Sequence, residues 1–195
     1  MDFRGWAVHN SGCTCVATTP STQVPWRWLL GGKFKIPRHD FILWLALLER
    51  LSTLDRLWMM EQDSGCVLCG RLHMESHDHL FFKCPFSSHC ISLLKAAVRF
   101  QWLDVRWARA TTWASKRWRG SHLLNAAART LLASLVYHIW SERNRRRFSS
   151  TASSAPIVAR KAIEDVKLRI LSTSVPPSLQ RSVLYRIWKL PSDRN

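Results

Sequence analysis

The residues able to do chemistry concentrate between Cys66 and Cys84, in the stretch CVLCGRLHMESHDHLFFKC. Cys66 and Cys69 are separated by two residues, the spacing at which one tight turn points both sulfurs at a single ion, and Gly70 follows to relieve the backbone. His73, His77 and His79 all lie before Cys84. The four-residue gap from His79 to Cys84 is that of compact CCHC sites and favours His79, with His77 as the alternative. Three thiolates and one imidazole make a tetrahedral zinc set. Four protein ligands leave no open position, so such an ion holds structure and does not activate water. The plainer reading, buried thiols and ordinary surface histidines, does not explain the clustering. Zn²⁺ with three thiolates and a neutral imidazole carries a charge of −1, which Arg71 and Lys83 would offset.

Little else suggests catalysis. The carboxylates, among them Asp40, Glu49, Glu61 and Glu75, are scattered, and none of the seven Gly forms a phosphate-cradling loop. His89 and Cys90 are adjacent on an expected helix and point apart. The expectation is a protein with no reaction of its own.

The chain of 195 residues carries a net charge of +16 and a pI near 10.7, which points to an anionic partner. Nucleic acid, RNA or DNA with little sequence preference, is the expected one. A membrane is the rival, but residues 41–48 are too short to span it, and Asn125, Arg129 and His138 interrupt 123–140. With no signal-like apolar run at the start, the six Cys read as reduced thiols, and nuclear or cytoplasmic placement is expected. Cys13, Cys15 and Cys90 are then spare.

The elements that must position the Cys and His set read as helices: the expected class is mainly α, a small zinc-stapled helical domain followed by a basic helical bundle or tail. Residues 1–25 form an expected disordered lead-in and 26–100 the zinc-binding unit. Residues 101–148 are a basic, Trp-rich segment with a long helix, and 149–195 a linker with C-terminal helices. Pro37 opens a helix over 38–50 with Phe41, Trp44, Leu45 and Leu48 as its apolar face, widened by Ile42 and Leu47. Ser52 and Thr53 cap a short second helix to about Met60, and Trp44 and Trp58 are expected to pack the pair together. A helix follows Pro85 to about Phe100. Trp102, Trp107, Trp113 and Trp118 then alternate with Arg106, Arg109, Lys116, Arg117 and Arg119, which suits either core packing or base stacking with phosphate contact. Ser121 caps a long helix to Phe148 with Leu124, Ala128, Leu131, Leu135 and Ile139 buried. Its end carries Arg143, Arg145, Arg146 and Arg147, readable as a solvated helix end, a phosphate-binding run or an import signal. Two further helices, 157–171 and 179–190, flank Pro176 and Pro177.

Three blocks resemble the zinc-binding domain at the carboxyl end of plant non-LTR, LINE-type retrotransposon reverse transcriptases. They are FKIPRHDFILWLALLERLSTLDRLW, CVLCG with HDHLFFKCPFS, and LVYHIWSERNRRRF. The resemblance implies zinc held by Cys66, Cys69, His79 and Cys84, association with nucleic acid, and association with a retrotransposon polymerase. Ile91 stands near the place where the family usually has Trp. The polymerase and endonuclease regions are missing, so the resemblance carries over no catalysis, and the chain reads as a detached piece. Contact with nucleic acid is assigned to Arg106, Arg109, Arg117, Arg119, Arg143, Arg145, Arg146 and Arg147. The alternative is a helical protein-interaction module or a non-functional remnant of a transposable element.

Overall fold

A computed structural model describes residues 24–56, 65–70, 72–103, 106–149 and 151–191. The expected lead-in lies almost wholly outside this set, as do Arg71, Trp58 and most of the expected second helix. Within it the fold is mainly helical: α1 (Pro37–Leu47), α2 (Pro85–Val98), α3 (Trp107–Arg117), α4 (Leu123–Phe148), α5 (Ala155–Leu171) and α6 (Leu179–Trp188). Among the described residues the only extended pairing is a single bridge between Gly65 and Met74.

α4 is the axis. Every residue from Arg129 to Val136 is buried, so this stretch meets protein on all sides, with α1 and α5 against it. Such a helix needs small or apolar side chains all round, and Ala133, Ser134, Leu131, Leu132, Leu135 and Val136 provide them. Leu124 and Ala128, expected in the buried stripe, are only half-buried. The helix is capped by His122, whose Nδ1 accepts from the Leu124 N–H at 3.3 Å, and not by Ser121. Among the described residues no helix is long and apolar enough to cross a membrane.

Proline opens α1 and α2 at the first helical position, where its missing N–H costs nothing. α1 stops at Leu47, short of Arg50, because Glu49 turns left-handed (φ 53) and the Arg50 N–H closes onto the Leu45 carbonyl at 2.8 Å. Its buried face is His39, Leu43, Ala46 and Leu47; Phe41 and Trp44, expected inside, are 55% and 38% exposed. The helix is apolar on several sides, and α4 selects one of two stripes that the sequence offers equally. After Ser52 and Thr53 the described chain makes one short 3₁₀ turn, Leu54–Arg56. Thr53 there bonds to the Asp55 carboxylate and does not cap a longer helix. One apolar core joins residues from Leu29 to Trp188, drawing on 26–100, 101–148 and 149–195 alike.

Candidate metal centre

Cys66 begins a tight turn. Its N–H donates to the His73 carbonyl at 2.8 Å, a 3₁₀ turn spans Val67–Cys69, and Gly70 is left-handed (φ 69), a conformation that suits glycine. The second pair of side chains comes from a wide turn, His79–Lys83, closed by the Cys84 N–H donating to the His79 carbonyl at 2.7 Å. That five-residue bond widens the helical turn and brings both ends of the segment to one side. Ser76 Oγ accepts from the His79 N–H at 3.1 Å, and Ser87 Oγ donates to the Leu80 carbonyl at 2.6 Å.

The ligand atoms of Cys66, Cys69, His79 and Cys84 all lie within 4.8 Å of one another. Cys66 Sγ and Cys84 Sγ are 4.0 Å apart, and Cys69 Sγ and His79 Nε2 are 3.5 Å apart. A tetrahedral zinc with ordinary Zn–S and Zn–N bonds requires edges of about 3.8 and 3.5 Å. The donor set fits the ion. Cys66, Cys84 and His79 are buried and Cys69 is half-buried. The hydrogen bond between Cys66 and Cys84 pushes the Cys66 thiol up and the Cys84 thiol down, so Cys84 is the readier thiolate of that pair. Burial holds His79 below the usual imidazole range, in the neutral form that ligates metal.

His77 goes elsewhere. It is buried with its ring edge-on to Phe81 at 5.0 Å and to Trp107 at 4.9 Å. It opens a run of packed rings that continues through Phe82, Trp102, Phe100 and Trp118. Trp102, Trp107 and Trp118 are therefore core, and Trp113 alone of the four is half-buried. Cys90 is also core: burial raises its thiol to about 12, and it lies 3.6 Å from the Ala155 carbonyl.

Arg143 and Arg146 at the end of α4 turn inward onto the loops that carry the Cys and His set. Arg143 is 2% exposed and Glu75, in the loop between Cys69 and His79, is fully buried. Arg143 Nε donates to both Glu75 oxygens at 3.1 Å, and Nη2 donates to Oε1 at 2.7 Å and to the Ser52 carbonyl at 3.3 Å. Arg146 grips the other loop, its Nη1 donating to the Val67 and Leu68 carbonyls at 3.3 and 3.0 Å. Its guanidinium lies 4.6 Å from the Phe86 ring centre and feels the Cys84 and Cys66 sulfurs. Arg146 thus joins the cations expected to offset the charge there, of which Lys83 is exposed and Arg71 lies outside the described residues. Arg145 and Arg146 both pair with the buried Glu142, and Arg147 is half-buried over Phe148. Phosphate contact through Arg143 is ruled out by its burial in a carboxylate pair. A partner 68 residues away was not readable from the run itself.

The other four expected residues, Arg106, Arg109, Arg117 and Arg119, are exposed on and around α3. Asp78, one residue before His79, accepts the first N–H of α3, from Trp107, at 3.2 Å, so the segment that carries the candidate ligand helps to place this helix. Two residues that sequence reasoning missed adjoin it: Trp28 is 39% exposed, with the Arg27 and Arg119 guanidinium carbons each 4.8 Å from its ring centre.

This architecture defines a mainly helical domain with a Cys₃His cluster that could hold zinc. Residues 10–90 match the family model described as zinc-binding in reverse transcriptase. The match is to the zinc-binding domain alone, with no catalytic domain alongside it. Neither a curated protein nor a solved structure matches the chain.

Proposed function

We propose that this protein is a nucleic-acid-binding accessory of a plant-type, non-LTR retrotransposon reverse transcriptase, acting in the nucleus or cytoplasm with no reaction of its own. Zinc at Cys66, Cys69, His79 and Cys84 fixes the platform, and single-stranded RNA or DNA lies across the outer face of α3. The observation that carries the reading is the arrangement of that face. Arg106, Arg109, Trp113, Lys116 and Arg117 recur at helical spacing on one side, while Trp107, Ala110, Thr111 and Ala114 are buried on the other. Arg119, Arg27 and Trp28 extend the strip. Interleaved arginine and partly exposed tryptophan suit a backbone with unpaired bases, each base stack contributing about 1–3 kcal/mol. Arg145 and Arg147, half-buried at the end of α4, make a lesser contribution, and Arg143 makes none.

Titration of fluorescent single-stranded RNA and DNA with the zinc-loaded chain across a range of salt tests this. Log affinity should fall linearly with log salt, by roughly 0.7–0.9 per phosphate neutralised. Absence of binding at low salt, or an affinity indifferent to salt, would overturn it. Capture of an acidic protein in place of nucleic acid would favour an interaction module.

A further inference from the structure

A second group of ligating side chains lies where α1, α4 and α5 meet. His39 from α1, His138 from α4 and Asp165 from α5 place one ligand atom each within 4.8 Å of one another. His138 Nε2 is 2.7 Å from Asp165 Oδ2, and His39 Nε2 is 3.6 Å from the same oxygen. His39 is 1% exposed, and among the described residues neither of its ring nitrogens has a hydrogen-bond partner. Tyr137 stacks on one side of its ring at 4.2 Å. Enclosing an imidazole with both nitrogens unpaired is unfavourable, because each loses its hydrogen bond to water without a replacement. Packing explains why the ring is inside. It does not explain why Nε2 faces a carboxylate beyond hydrogen-bond range.

We propose that His39, His138 and Asp165 form a second metal site, for a divalent first-row transition ion such as zinc, with one coordination position open to solvent. Two imidazoles and a carboxylate are a donor set for such ions. Each ligand sits inside a helix, and the three helices pack through the same core, so the site is held by rigid elements. The 3.6 Å separation is close to the edge of about 3.3 Å for a nitrogen and an oxygen on one tetrahedral zinc. The His138–Asp165 pair, at 2.7 Å, must open by about 0.6 Å to reach that edge as the proton between them leaves. His39 is buried, whereas His138 and Asp165 are 15% and 35% exposed, which gives the ion its entry and leaves the fourth position to water. Burial lowers His39 to about 4, against the pull of Asp165, so its ring is neutral and ready to ligate throughout the neutral range. Arg38 and Lys161 lie close enough to oppose a cation. Binding is therefore weaker here than at the three thiolates.

The test is equilibrium dialysis of the full chain against Zn²⁺, with protein-bound zinc measured by emission spectroscopy, on the wild type, Asp165→Asn and His138→Gln. The wild type should hold one more zinc per chain than either variant. Parallel loading with Co²⁺ controls for misfolding: the thiolate-to-cobalt charge-transfer band of the Cys₃His centre should be equal in all three, while the visible absorption of the additional nitrogen- and oxygen-ligated cobalt disappears in the variants. Equal zinc content in the three proteins, or full content in either variant, overturns the proposal.

Discussion

Two arginine-rich segments of this chain look alike in sequence and differ in what surrounds them. Arg143, Arg145 and Arg146 at the end of α4 reach Glu75, Glu142 and the carbonyls of the zinc-ligand loops, and Arg143 ends almost fully enclosed. Arg106, Arg109, Arg117 and Arg119 around α3 are exposed. A charge run therefore says nothing by itself about function. What decides is whether the fold brings carboxylates and unpaired carbonyls to it. The end of α4 pairs with two buried carboxylates, its own Glu142 and Glu75 from the Cys69–His79 loop, and sets one arginine on each side of the Cys and His set, Arg143 on Glu75 and Arg146 on the Val67 and Leu68 carbonyls.

If the α4 end is framework and the α3 face is surface, breaking the first should cost stability and breaking the second should not. The largest effect is expected at the zinc centre on which the clamp closes. Cys69→Ala, or chelation of the metal, removes a contribution on the order of 10 kcal/mol. Cooperative melting should be lost and the segment from Cys66 to Cys84 should become protease-sensitive; unchanged melting and protease resistance would count against the staple. Next is Glu75→Gln, which leaves the Arg143 guanidinium enclosed without its counter-charge and should cost about 3–5 kcal/mol in denaturant unfolding. Glu75→Gln combined with Arg143→Met should recover more than half of that loss, because an apolar replacement leaves no stranded charge. A double variant as unstable as the single one would mean that the loss does not come from the stranded Arg143 charge, since glutamine can still accept the Leu54 N–H.

The same contrast separates what the sequence shows from what it hides. The convergence of Cys66, Cys69, His79 and Cys84 is local, set by two turns within about twenty residues, so spacing is enough to read it. Helix starts are legible at Pro37 and Pro85 for the same reason: the missing N–H is a property of one residue. The buried side of α1 is not, because two apolar stripes compete and only contact with α4 chooses His39, Leu43, Ala46 and Leu47 over Phe41 and Trp44. The fate of Arg143 is likewise tertiary, resting on a Glu on the far side of the zinc hairpin. A faint signal existed in Glu75 itself, a carboxylate inside a short loop between two metal ligands, where a cationic partner would be needed. The meeting of His39, His138 and Asp165 joins three helices and has no local signature.

The smallest effect on stability, and the sharpest division between the regions, belongs to α3. Arg109→Ala with Arg117→Ala removes two exposed guanidiniums from a helix whose buried side is untouched. Alanine is at least as good a helix former as arginine, so stability should move by no more than about 0.5 kcal/mol. Binding to single-stranded RNA should nevertheless weaken. The slope of log affinity against log salt should fall by roughly 1.4–1.8 for two phosphate contacts removed. Loss of stability without a change in slope would place these arginines in the framework with Arg143 and erase the distinction. Loss of affinity with the slope intact would mean that the two side chains act by packing beside Trp113 and not as phosphate partners.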